Sequence, residues 1–144
     1  MPSDFIYDDV PYPSFVFPQT SPDRLATLAC VNGIDAASPA KCRMLELGCG
    51  DGTNLLALAY AMPDSRFVGI DLAATHIRSA RAAAEKLGLS NVEFFELDVT
   101  QADAEALGEF DYIVAHGLFS WVPEFVRPAI LDLYSKCLAP KGVG

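Results

Sequence analysis

Three glycines at alternating positions constrain this chain more than any other feature. Gly48, Gly50 and Gly52 follow the apolar run Met44-Leu45-Glu46-Leu47 and precede a helical pattern from Leu55 to Ala61. The run reads as a buried strand, so the order is strand, glycine bend, helix. Glycine lets the backbone take positive φ and approach a ligand closely, and the new helix offers N–H groups that have no intrahelical partner. Such a bend is the signature of a nucleotide site.

The spacing narrows the class of nucleotide. A dinucleotide site of the G-x-G-x-x-G kind requires a third glycine where Thr53 stands, which disfavours a nicotinamide-dependent oxidoreductase. The bend reads instead E-x-G-x-G-x-G, with Glu46 two residues ahead of Gly48.

Around it, helix and strand patterns alternate. Thr20-Ser21-Pro22-Asp23 has the form of a helix start, a hydroxyl followed by proline and an acid. Leu25, Leu28, Ala29 and Ile34 then suggest one apolar face, with Gly33 as the stop. Strands are expected over 42–47, 66–71, 91–98 and 110–116, and helices over 54–62, 73–87, 101–107 and 127–138. This alternation predicts an α/β, doubly wound parallel sheet with right-handed crossovers. Pro140-Lys141-Gly142 reads as a turn out of the last helix.

Composition bounds the rest. With 144 residues, 51% of them hydrophobic and 20% charged, the chain has the makings of one globular domain. No run approaches the roughly 18 apolar residues of a membrane span. The start MPSDFIYDDV lacks the basic and apolar regions of a signal peptide, so no membrane association and a cytoplasmic location are expected. Cys30, Cys42, Cys49 and Cys137 form no C-x-x-C pair and read as small buried fillers, leaving no metal site expected. A net charge of −9 with ten basic residues argues against a nucleic-acid partner.

On E-x-G-x-G-x-G and the acids that end the second and third strands, the sequence resembles the class I S-adenosylmethionine-dependent methyltransferases. The resemblance implies a Rossmann-like fold, S-adenosylmethionine as cofactor, S-adenosylhomocysteine as product, and an unidentified methyl acceptor. It implies a role at the methionine amino group for Glu46 and Gly48, and assigns Cys49, Gly50 and Asn54 of the bend and Tyr12 of the N-terminal segment to the cofactor. Asp71, about 20 residues past the glycines, would accept from both ribose hydroxyls, or cap the helix at Ala73, and the two roles can coexist. Asp98 would accept from the adenine amino group, with the Val99 N–H completing that edge, or only cap the helix at Gln101. Leu72 and His76 match positions that pack on adenine and ribose, though His76 also suits an exposed helix position. His116, at the tip of the fourth strand, offers a general base or shapes the pocket through its backbone.

The segment from Ala115 to Pro123, with Tyr12-Pro13-Ser14 and the stretch 20–28, resembles a bacterial subgroup of this family that often carries an appended regulatory domain. In that subgroup a His precedes the proline where Ser21 stands here, and the aromatic N-terminal arm covers the cofactor. The expected division is therefore 1–40 as arm and helix over the site and 41–144 as the cofactor-binding core. By the same resemblance the domain is expected to be truncated after the fourth strand and its helix. The exposed fourth-strand edge would then invite self-association, and the chain could serve as a binding or assembly module without turnover.

Overall fold

Strands rich in Val, Ile, Leu and Phe are covered on both faces in parallel sheets, and here such segments assemble into one sheet flanked by helices. The computed structural model describes residues 14–144. Tyr12 lies outside the described residues. The elements are α1 (Pro22–Val31), β1 (Arg43–Leu47), α2 (Thr53–Ala61), β2 (Arg66–Asp71), α3 (Ala74–Lys86), β3 (Val92–Glu96), α4 (Ala104–Leu107), β4 (Phe110–Val114), α5 (Arg127–Cys137) and β5 (Leu138–Val143). Short 3-10 turns occupy Pro18–Thr20, Val99–Gln101 and Glu124–Val126.

The strands lie in the order β3-β2-β1-β4-β5, and every pairing is parallel. From β1 the chain winds outward through β2 to β3, then crosses back to place β4 on the other side of β1. The strand order thus reverses beside β1, and the crevice beyond the carboxyl ends of β1 and β4 is where open α/β sheets hold ligands. On one face Met44, Phe67, Phe94 and Tyr112 pack with Leu55 and Ala59 of α2 and Ile77, Ala80 and Ala84 of α3. On the other, Leu45, Leu47, Val68, Ile70 and Ile113 pack with Ile130, Leu133 and Cys137 of α5. Among the described residues no helix is long and apolar enough to cross a membrane.

Several expectations are corrected. The domain does not stop at the fourth strand and its helix, because β5 follows α5 directly and pairs with β4. Pro140 looked like a breaker, yet β5 is an edge strand whose register shifts between Phe110–Leu138 and Tyr112–Val143, and proline is tolerated at edges and bulges. The fourth-strand edge is consequently paired with β5. In addition, Ala37 N–H donates to Lys141 O at 2.9 Å, so the loop after α1 meets β5 from outside.

The remaining corrections concern packing. Helix α1 buries only a narrow stripe through Pro22 and Ala29, with Leu25 and Ala26 partly buried, whereas Leu28 and Ile34 project to solvent. Three of the cysteines are buried fillers, but Cys30 is exposed.

Candidate functional site

The glycine bend is built by three residues with φ of 69°, 57° and 77° at Gly48, Gly50 and Gly52, the left-handed region that disfavours any side chain. Their reasons differ beyond that. A Cβ on Gly52 would lie 2.6 Å from the Phe94 ring, so this glycine lets α2 settle on the sheet. A Cβ on Gly50 would meet nothing within 4 Å, which leaves the bend open on its outer side. Gly48 and Cys49 donate their N–H groups to Ile70 O at 2.8 and 3.0 Å, tying the bend to β2.

Asp71, at the tip of β2, closes the same structure. Its Oδ2 accepts from Gly50 N at 2.8 Å and its Oδ1 from Ala73 N at 2.9 Å, so the cap-type contact at Ala73 is present. A carboxylate offers about four acceptor positions, and two remain for a ligand. His76 Nδ1 approaches Asp71 Oδ1 at 3.9 Å. Asp98, beyond β3, accepts from Thr100 N and Thr100 Oγ1, each at 2.8 Å, and so caps the Val99–Gln101 turn.

Asp71 and Asp98 converge on a cleft of about 230 Å³ beyond the strand tips. Gly48, Leu72 and Val99 line it with them. Sequence reasoning missed the rest of the lining, Leu97, Leu118, Val122, Pro123, Phe125 and Val126. The signal available for the last five was the apolar stretch after β4, whose fold back over Gly48 no local pattern encodes. Leu118 reaches so close that a Cβ on Gly48 would be 2.9 Å from its Cδ1.

Glu46 lies behind the bend, on the α2 face of β1. It is 4% exposed, its Oε1 accepts from Asn54 Nδ2 at 3.1 Å, and its Oε2 has no hydrogen-bond partner among the described residues. Burial pushes this carboxyl up to about 7; the Asn54 hydrogen bond opposes the rise and the nearby Asp71 charge adds to it. A buried carboxylate oxygen without a donor is costly unless a cation or a proton meets it. Glu46 Oε2 is therefore the position at which either a proton or the cation of a ligand is favoured.

The other candidates are placed around this centre. Cys49 turns its side chain into the core against Gly69, and burial raises its thiol far above the ordinary range. His116 is exposed and packs against Phe17 of the arm with the two rings tilted by 44°, centroids 4.1 Å apart, outside the lining of the Asp71–Asp98 cleft. The arm is fastened further by the Ser14 hydroxyl, which donates to Asp51 Oδ2. Burial works against ionisation of Asp51, but hydrogen bonds from Ser14 and Thr53 outweigh it and hold the carboxyl below its usual range. No cluster of three or more metal-binding side chains occurs among the described residues.

Comparisons with known proteins converge on one family. A family model described as a methyltransferase domain matches residues 44–142. Over 137 residues, 95% of this chain, the sequence is 41% identical to the uncharacterized protein RP789 of Rickettsia prowazekii (strain Madrid E), and the match covers 25% of that protein. It is 34% identical over 137 residues to the trans-aconitate 2-methyltransferase of Azoarcus sp. (strain BH72), covering 95% of this chain and 48% of that enzyme. Among solved structures, PKMT2 from Rickettsia typhi in complex with AdoHcy superposes with a TM-score of 0.86 at 38% identity, over 92% of this chain and 25% of the other. This chain spans a quarter to about half the length of these relatives.

Proposed function

This chain belongs to the methyltransferase domain family, in its class I, Rossmann-like form, and from that membership we propose that the protein transfers a methyl group from S-adenosylmethionine to an acceptor. The single observation that carries the choice of cofactor is Glu46 Oε2, buried and without a donor beside the open glycine bend. An amino-acid ammonium supplies that donor, and the AdoHcy bound by PKMT2 of R. typhi supports the same reading.

In this reading the free acceptor positions of Asp71 take the ribose hydroxyls, Asp98 and the Val99 N–H take the adenine edge, and Leu72 and His76 flank the two. Gly48, Gly50 and the backbone of Cys49 let the ligand lie directly on the bend. We assign Tyr12 and the arm to the cofactor site and residues 41–144 to the binding core. When bound, the cofactor supplies a methyl group on a sulfonium, already a good leaving group. The protein's part is then mainly to position donor and acceptor and to keep water out. His116, held against Phe17 past the end of β4, is the group proposed to take up the acceptor's proton.

Calorimetric titration of the chain with S-adenosylhomocysteine tests the cofactor reading. We expect saturable binding, and Asp71→Ala should weaken it by roughly 1.5 to 3 kcal/mol through loss of charge-assisted hydrogen bonds. Absence of heat and of any thermal shift at millimolar ligand overturns the reading.

A further inference from the structure

Asn54 is only 4% exposed and stands at the second residue of α2, directly behind the bend. Its carboxamide is almost fully engaged. Nδ2 donates to Glu46 Oε1 and to Thr20 Oγ1, both at 3.1 Å, and Oδ1 accepts from Phe17 N at 2.9 Å. Thr20, itself buried, passes its own hydroxyl proton to Phe17 O at 2.8 Å, while its N–H donates to the same oxygen at 2.9 Å. The amide thus recognises both ends of the Pro18–Thr20 turn and, on its other side, one oxygen of the buried acid. Its orientation is forced, because exchanging oxygen and nitrogen would set a donor against the Phe17 N–H.

We propose that Asn54 is a positioning residue that ties the arm to one oxygen of Glu46, so that seating of the arm and binding of the cofactor draw on the same side chain. The coupling half of this proposal rests on the S-adenosylmethionine reading; the tether itself does not. Both Asn54 N–H groups are spent within the protein, so neither remains for a ligand. Its effect on the cofactor runs through Glu46, whose Oε1 it holds while Oε2 is left to face a cation. Its effect on the arm runs through Phe17, which the same contact brings against His116. Ser14 and Asp51 make a second, exposed fastening, but among the described residues only the Asn54 junction links the arm to the buried acid.

Amide hydrogen exchange of the 14–20 segment, read with and without S-adenosylhomocysteine, tests both halves. Thr20→Val removes the arm-side hydroxyl and leaves the Glu46 contact intact, whereas Thr20→Ser restores the hydroxyl; Asn54→Ala removes the junction. In the ligand-free chain, Thr20→Val and Asn54→Ala should speed exchange at Phe17 by about tenfold, with Thr20→Ser close to wild type. Ligand should slow arm exchange in wild type and not in Asn54→Ala, and Thr20→Val should weaken ligand binding by about fivefold although Thr20 does not line the cleft. Unchanged arm exchange in a folded Thr20→Val chain overturns the tether, and that variant decides the matter if Asn54→Ala does not fold. Faster exchange with unaltered ligand affinity overturns the coupling. A wild-type chain that fails to bind S-adenosylhomocysteine overturns the cofactor reading alone, because the tether is read without ligand.

Discussion

At the scale of single residues, the site is governed by how an acid is held where water does not reach it. Glu46 carries its proton to higher pH in the fold than in the unfolded chain, since burial, reinforced by Asp71, outweighs the Asn54 hydrogen bond. The stability contributed by protonated Glu46 is therefore complete below its ordinary value of 4.5 and is lost as pH rises through about 7. A cationic ligand reverses the preference and favours the carboxylate. Binding of S-adenosylhomocysteine at around pH 6 should accordingly release up to about one proton, seen as a binding enthalpy that varies with the buffer's ionisation enthalpy. Around pH 8.5 the variation should vanish, and Glu46→Gln should abolish it at either pH. A buffer-independent enthalpy at the lower pH would show that Glu46 does not meet the ligand's charge.

The glycines separate in the same way, by what surrounds them. Gly52→Ala combines left-handed strain with a clash against Phe94, and should cost about 3 kcal/mol in chemical denaturation. Gly50→Ala meets open space and should cost about 1 to 2 kcal/mol, while interfering more with S-adenosylhomocysteine binding. Equal stability losses in the two variants would contradict the packing described for the bend. In the sequence these glycines look alike, because their spacing records the bend but not which neighbour each one faces.

At the scale of elements, what was legible was whatever declares itself locally. Strand β2 occupies the 66–71 run expected of it, and the start of α1 follows from Ser21-Pro22-Asp23, although the Ser21 hydroxyl donates to Pro18 O rather than capping the helix in the usual way. The expected helix over 101–107 is instead two short turns, Val99–Gln101 and Ala104–Leu107, each capped by an aspartate at its start. Strand β5 was not legible, since Pro140 and Gly142 carry breaker signals and the β4 edge that recruits them is remote in sequence. A chain ending at Cys137 should bare that edge and gain mass with concentration in light scattering, while the full chain gains less. Identical profiles for the two would remove β5's role as a cover.

At the scale of the whole molecule, strand order decides where chemistry is possible. Because β2 and β4 flank β1, the tips of β1, β2 and β3 and the segment after β4 open toward one side, and a bend, two acids and an apolar wall meet there. That wall continues outward in exposed aromatics, Trp121 at 74% and Phe125 at 76%, on a molecule whose net charge is −9. The alternation of apolar runs and amphipathic helices, together with E-x-G-x-G-x-G and an acid after each of the next two strands, determined by themselves the parallel α/β sheet and the nucleotide class of its site. These are local patterns, set by glycine's freedom and by the periodicities of strand and helix. Only the tertiary structure decided that Asn54 joins the arm to Glu46, that the stretch after β4 closes on Gly48, and that β5 covers β4. Each of those depends on contacts between segments far apart in the chain, where burial and hydrogen-bond satisfaction, rather than local propensity, select the partner.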